Sequence, residues 1–597
     1  MTKKANWLTT STTRRQFVLG SSSVLACAAL PWPSLASAND KAVVMPELRG
    51  RNFNLDIDYQ MVNFTGKNRI ATTVNGSLPA PILRWKQGEK VTLKVTNHLT
   101  HDSSIHWHGM ILPSNMDGVP GLSFAGIKPG STYEYQFDVQ QSGTYWYHSH
   151  SGFQEQTGLY GAIIIDPAEP DPVDYDRDYV VILSDWTDED PADVYAKLKK
   201  QSHYYNRQER TAADTWNDIK DKGVAQTWRD RKMWNQMRMS DRDISDVTGA
   251  TYTFLMNGQT PEQGWTGLFD KGEKVRLRFI NAAAMTLFDV RIPNVKMTVV
   301  AADGQNIEPV TIDDFRIGVA ETYDVIVEPE SDKAHTIIAQ AIDRTGFAYG
   351  VLTPDINMKA ELPELDPSPI LTMADMGMNH GAMNDMSMMD MSGDMGHQMD
   401  HSMHMAMATK MGSGKAGYGS NMPVTHKDTE FGPHVDMRAE MPMSKLDDPG
   451  IGLREHAEKY GRKVLTYADI HNLYQTPEPR EPDREIQLHL TGNMARYMWS
   501  IDGIKYADAE PLVLKYGERV RFTLVNDTMM NHPMHLHGMW SELETGDGVR
   551  IPRKHTVIVQ PGSKISYLVT ANARGRWAYH CHLMFHMMSM FREVKVI

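Results

Sequence analysis

Gly88-Glu89-Lys90-Val91-Thr92-Leu93-Lys94-Val95-Thr96-Asn97 recurs as Gly272-Glu273-Lys274-Val275-Arg276-Leu277-Arg278-Phe279-Ile280-Asn281, and again as Gly517-Glu518-Arg519-Val520-Arg521-Phe522-Thr523-Leu524-Val525-Asn526. Each copy reads as a turn followed by an alternating strand. Each is followed by a further strand: Tyr133 to Val139 after Pro129-Gly130, Thr322 to Val327, and Ile565 to Val569 after Pro561-Gly562. One unit used three times predicts an all-β chain of three sandwiches of one design. Their expected spans are 46–168, 169–355 and 461–597. Within the second, 188–248 breaks the strand pattern and is charged, Trp-rich and helix-like in spacing. It is expected to be a helical insertion, read as a solvated appendage, with a partner surface around Trp228 and Trp234 as the alternative.

Histidine pairs sit on this frame in a fixed order: His106-Trp107-His108-Gly109, His148-Ser149-His150, His532-Pro533-Met534-His535-Leu536-His537-Gly538, and His580-Cys581-His582 with His586. Side chains alternate along a strand, so a His-x-His pair presents both rings on one face, ~7 Å apart at ~3.3 Å per residue. Four such pairs surround several metal ions. The first and third sandwiches carry the pairs. The second has Asn281-Ala282-Ala283-Ala284 where the others continue to ligands, which makes it a spacer. Cys581 is one of only two cysteines, and the other, Cys27, lies in an N-terminal leader. In an oxidising compartment a lone thiol is a liability unless a metal occupies it. A thiolate, two imidazoles and a weak sulfur ligand form the donor set of a blue copper centre.

The four segments together resemble the signature of the multicopper oxidase family, HxHG, HxH, HxxHxH and HCHxxxH. The resemblance implies cupredoxin sandwiches and four coppers. On matching positions it implies His532, Cys581 and His586 at type 1 copper, His106 and His535 at type 2, and His108, His148, His150, His537, His580 and His582 at the type 3 pair. It implies electrons taken one at a time at His586, passed on by Cys581, and spent on reducing dioxygen to water. Asp117, eleven residues after His106 as in relatives, would assist proton delivery; it also reads as a turn-forming Asp before Gly118. The family's axial methionine stands ten residues after the cysteine, where this chain has Phe591. Met590 is therefore the expected axial ligand of a shortened loop, with Met588 or a Phe591-capped site as alternatives.

A low-complexity tract precedes the third sandwich, inside a linker spanning 356–460. It carries Met376, Met378, Met383, Met386, Met388, Met389, Met391, Met395, Met399, Met403, Met405 and Met407, interleaved with His380, His397, His401 and His404. Poor in branched and aromatic residues, it is expected to be flexible, and its thioethers suit additional Cu(I). With this tract the resemblance narrows to the CopA-type copper-resistance group of the family. That implies oxidation of Cu(I) to Cu(II), with Met530 and Asp527 as a candidate substrate site. Copper sequestration with little turnover and laccase-like oxidation of small phenols are the alternatives.

Residues 1–38 read as a removable export signal. Arg14-Arg15 precedes a mostly apolar run from Phe17 to Leu30 that is too short to span a membrane, and Ala36-Ser37-Ala38 supplies a cleavage pattern. Val24-Leu25-Ala26-Cys27 also faintly resembles a lipoprotein site. The expected address is the periplasm, reached by the twin-arginine route, with periplasmic copper-handling proteins as partners. Cleavage would move the formal charge from -13 to -17. That acidity gives no electrostatic case for nucleic acid.

Overall fold

The computed structural model describes residues 45–237, 239–378 and 414–597. Six sheets pair into three two-layered sandwiches, as the repeat predicts. In each unit the repeated strand is central. Lys90–Asn97 pairs in parallel with Asn52–Val62 and antiparallel with Thr132–Asp138. Val275–Asn281 and Arg519–Asn526 have the same kinds of neighbour.

The ends of the repeat are recurrent for physical reasons. Gly88, Gly272 and Gly517 take φ of +85, +84 and +84°, a left-handed turn that a side chain would strain. The closing asparagine braces the loop beyond the strand. Asn97 Nδ2 donates to His101 O and Ile127 O, both at 2.8 Å. Asn281 donates to Thr286 O at 2.9 Å and Ile317 O at 3.1 Å, and Asn526 to Met530 O at 2.8 Å and Val559 O at 2.9 Å. In each case Oδ1 accepts from the backbone N–H two residues on. The loops so anchored lead to the histidine pairs in the first and third sandwiches and to the alanines in the second.

The second sandwich is a spacer with specific seams. Arg278 Nη1 donates to Thr144 Oγ1 at 3.0 Å, towards the first sandwich. Lys554 of the third is buried between Asp303 and Glu321 of the second, 3.1 Å from each. The alanine loop meets the cysteine loop, where Met584 N–H donates to Ala284 O at 3.0 Å.

Two expectations are corrected. The insertion is helical, with helices Pro191–Lys200, Ala212–Lys222 and Val224–Met237, but it is not a solvated appendage. Val194, Leu198, Tyr205, Trp234, Ile244 and Val247 are buried, and of the two flagged tryptophans only Trp228 is exposed, at 67%. The described flanks of the methionine segment are packed in part: Met373, Met376 and Met437 are buried in the core and Met378 packs against it, while Met422, Met441 and Met443 are exposed. Met383, Met386, Met388, Met391, Met395, Met399, Met403 and Met405 lie outside the described residues, as does the leader.

Candidate metal centre

Strand register assembles the site. His106–His108 pairs with Gly143–His148 so that His106 faces His148. His532–Leu536 pairs with Gly575–Cys581 so that His535 faces His580 and Met534 faces Cys581. Alternation then puts His535 and His580 on one face and Met534, Cys581 and His532 on the other. One strand therefore serves two sites.

On the first face the eight expected histidines of the two sandwiches converge. His108 stacks on His535 with centroids 3.7 Å apart and His106 on His537 at 4.0 Å. Donor atoms gather as His106–His535–His537, His106–His148–His150, His108–His148–His582 and His150–His537–His580. The Nε2 atoms of His106, His108, His148, His150, His535 and His582 are buried without a protein partner, while those of His537 and His580 face one another at 3.1 Å. Burial favours the neutral form of seven of them: the affinities of His108, His148, His150, His535, His537 and His582 for protons are pushed well down, and His580 falls to about 4. Neutral inward-facing lone pairs are what a metal ion takes.

Outer contacts fix several ring orientations. His535 Nδ1 donates to His555 O at 2.6 Å and His580 Nδ1 to Cys581 O at 3.0 Å. Asp117 is buried between the sandwiches: its carbonyl accepts from His106 Nδ1 at 2.7 Å, and its Oδ2 stands 2.9 Å from His537 Nδ1. Gly118 makes the turn beside it, at φ +85° and so close to Ile105 O that a Cβ would stand 1.9 Å away. Turn and inward carboxylate are thus the same feature.

On the second face His532 Nδ1 and His586 Nδ1 stand 3.5 and 3.9 Å from Cys581 Sγ and 3.3 Å from each other. Burial pushes the Cys581 thiol far up, so the thiolate needs a cation to form. Among the axial candidates Met590 is fully buried, Met588 is 40% exposed, and Phe591 stacks flat on His580 at the other face, 5.5 Å between centroids.

This donor set of buried imidazole, thiol and thioether fits copper. Three stretches, 56–170, 177–353 and 479–596, match multicopper oxidase family models. The chain belongs to the multicopper oxidase family. It is 55% identical to the copper resistance protein A of Escherichia coli, covering 98% of this chain and 99% of that one. It is 28% identical to the multicopper oxidase MmcO of Mycobacterium tuberculosis, over 94% and 91%. Among solved structures, Fet3p, described as a multicopper oxidase that functions in iron import, superposes with a TM-score of 0.59 over 92% and 90% at 19% identity, which speaks to fold. As a multicopper oxidase this chain is a copper-dependent oxidoreductase that uses oxygen.

Three residues near the centres escaped the sequence reading. Asp246, from the insertion, places Oδ2 2.6 Å from His586 Nε2. Glu155 Oε2 lies 2.7 Å from His148 Nδ1. His555 brings a ninth ring beside His108, 4.8 Å between centroids, with a buried, unpartnered Nε2. The insertion also helps close the His586 edge: His586 is 0% exposed, covered by Asp246 and by Trp499, stacked at 3.9 Å. Asp527 and Met530, the candidate substrate site, lie inside the fold. Both are buried, and the Asp527 oxygens are engaged by Ala439 N–H at 2.7 Å and His489 Nδ1 at 2.7 Å.

Proposed function

We propose that this multicopper oxidase is a periplasmic cuprous oxidase, exported by the twin-arginine route, that oxidises Cu(I) to Cu(II) at the expense of dioxygen and so serves copper resistance. The observation that carries the reading is the cover over His586. A phenol must bring its ring to the imidazole edge, and Trp499 and the insertion stand there. A metal ion needs only the Asp246 carboxylate, itself held by Tyr497 Oη at 3.1 Å. Met587 and Met588 add thioether sulfur on the same loop, suited to Cu(I). The relatives named copper resistance protein A support the role in copper resistance.

His532, Cys581, His586 and axial Met590 would hold type 1 copper, His106 and His535 type 2, and His108, His148, His150, His537, His580 and His582 the type 3 pair, four ions per chain. When bound, copper supplies one-electron redox chemistry and dioxygen activation. The chain supplies the rest. Asp246 attracts the cation and orients His586. Asp117 orients His106 and His537 and stands ready to hold a proton. Glu155 orients His148. The cluster is enclosed, which limits water. The methionine-rich tract would gather further Cu(I).

Oxygen uptake by the copper-loaded protein with Cu(I) and with a small phenol, before and after chelation of added copper, tests this. Fast uptake with Cu(I) is expected. Faster turnover on phenol that survives chelation would make the protein a laccase, and no turnover on either would make it a sequestering protein.

A further inference from the structure

A second cluster of metal-ligating side chains lies outside the histidine centres, where the segment following the methionine tract meets the third sandwich. His426 and Glu430 come from that segment, His489 from strand Arg484–Asn493, and Asp527 from the turn after Arg519–Asn526. His426 Nδ1 stands 2.8 Å from Glu430 Oε2 and 3.8 Å from Asp527 Oδ2. His489 Nδ1 stands 3.4 Å from that Glu430 oxygen and 2.7 Å from that Asp527 oxygen. Four donors at ~2.0–2.1 Å around a tetrahedral ion stand ~3.3 Å apart, the middle of this range.

The outward atoms are already spoken for. Asp527 Oδ1 accepts from Ala439 N–H at 2.7 Å, and Glu430 Oε1 from Lys427 N–H at 3.2 Å. His489 Nε2 stands 3.3 Å from Gln487 Oε1 and can donate to it; a metal ion would then take the Nδ1 lone pair in place of the hydrogen bond from Nδ1 to Asp527 Oδ2. These contacts aim one atom each of Glu430, His489 and Asp527 at one point, and His426 Nδ1 lies beside it.

Charge makes the same demand. Glu430, Asp527 and His489 are all at 0% side-chain exposure. Among the described residues no Lys or Arg side chain lies within ion-pair distance of either carboxylate; Lys427 is paired with Asp502 at 2.7 Å. Two buried carboxylates need compensating positive charge. One divalent ion with two neutral imidazoles balances them; without an ion, neutralising both carboxylates takes protons on the imidazoles or on the carboxylates themselves. His426, 20% exposed at its side chain, gives an ion a way in.

We infer that His426, Glu430, His489 and Asp527 form an additional site for a divalent first-row metal ion, distinct from the oxidase centres. Two nitrogens and two carboxylate oxygens suit Zn(II) and Cu(II) over Cu(I), and Cu(II) most tightly. Asp527 is followed by Thr528, whose Oγ1 lies 2.7 Å from His532 Nε2. On the proposed function, this places a binding site for the oxidised product one residue from the electron-accepting centre.

The test uses full-length protein with its oxidase coppers in place and Zn(II), which is redox-silent, as the probe. After equilibration and gel filtration, wild type should retain one Zn(II) per chain more than His426→Ala. That variant keeps the His489–Asp527 contact, and its blue absorption and oxygen turnover should match wild type. Zn(II) should raise the unfolding temperature of wild type alone. Anomalous diffraction at the zinc edge should place the ion between the four named atoms. Equal zinc retention by the two proteins, or no anomalous peak there, would overturn the site and leave a protonated ion-pair network. The oxidase reading would stand or fall separately, on the blue band and oxygen uptake.

Discussion

Burial raises the Asp246 carboxyl to about 7, so replacing it by Asn removes a negative charge 2.6 Å from His586 Nε2 that is full only above that pH, and the loss described here is the one expected there. The amide keeps an oxygen that accepts the imidazole N–H, Trp499 still stacks on His586, and the candidate ligands His532, Cys581 and His586 are unchanged. A charge-assisted hydrogen bond contributes ~1.5–3 kcal/mol. The attraction of the carboxylate for an arriving cation ~4 Å away is at most ~4 kcal/mol at an effective dielectric of ~20. With tenfold for every ~1.4 kcal/mol, kcat/KM for Cu(I) should fall roughly 10- to 100-fold. The assay is oxygen uptake over a range of Cu(I), with copper content and blue absorption recorded on the same sample. Asp246→Glu should recover part of the loss. A variant with an intact blue band and wild-type kcat/KM for Cu(I) would refute the view that Asp246 guides the substrate ion.

Cys581→Ser should abolish both the blue absorption and turnover while the far-ultraviolet circular dichroism stays native, because the thiolate belongs to the proposed type 1 site; a blue variant would end that assignment. His108→Ala or His582→Ala should keep the blue band and stop oxygen reduction, as read by optical spectra and an oxygen electrode. Deleting 379–413, which spares buried Met373 and Met376, should leave catalytic copper and phenol kinetics near wild type but slow cuprous oxidation at limiting copper; equal loss on both substrates would assign the tract a structural role. Burial lifts Asp436 to about 6, although Met494 N–H donates to it at 2.6 Å. A carboxyl raised in the folded state stabilises below its unfolded pKa and loses that contribution as pH rises through the folded value. Asp436→Asn should therefore gain up to ~3 kcal/mol at pH 7.5 and nothing near pH 3, measured by denaturant unfolding at each pH.

The convergence of the histidine pairs was legible because their spacing is local. His-x-His spacing fixes which rings share a face, and that face survives whatever the strands later pack against. The repeat was legible for a similar reason: Gly88, Gly272 and Gly517 meet a φ that favours glycine, and Asn97, Asn281 and Asn526 close equivalent loops. Met590 is the contrasting case. Spacing from Cys581 left three axial candidates, and only packing separated buried Met590 from exposed Met588 and from Phe591 on His580.

Asp246 could not be read from motif spacing, since it lies 340 residues from the histidine it contacts. Its segment was misread because charge and tryptophan content outweighed a shorter signal. Asp190 caps the helix that begins at Pro191, and Val194 and Leu198, four apart, share its buried stripe. An insertion with an apolar stripe must cover something. On a sandwich whose own strands carry no ligands, the thing to cover belongs to a neighbouring domain. The second sandwich carries no histidine pairs, yet it stands beside the cysteine loop, where Ala284 O receives Met584 N–H. What it contributes from that position is the helical cover and the carboxylate over His586. In this reading, the domain without histidine pairs is the one that selects what may give electrons to the domain that has them.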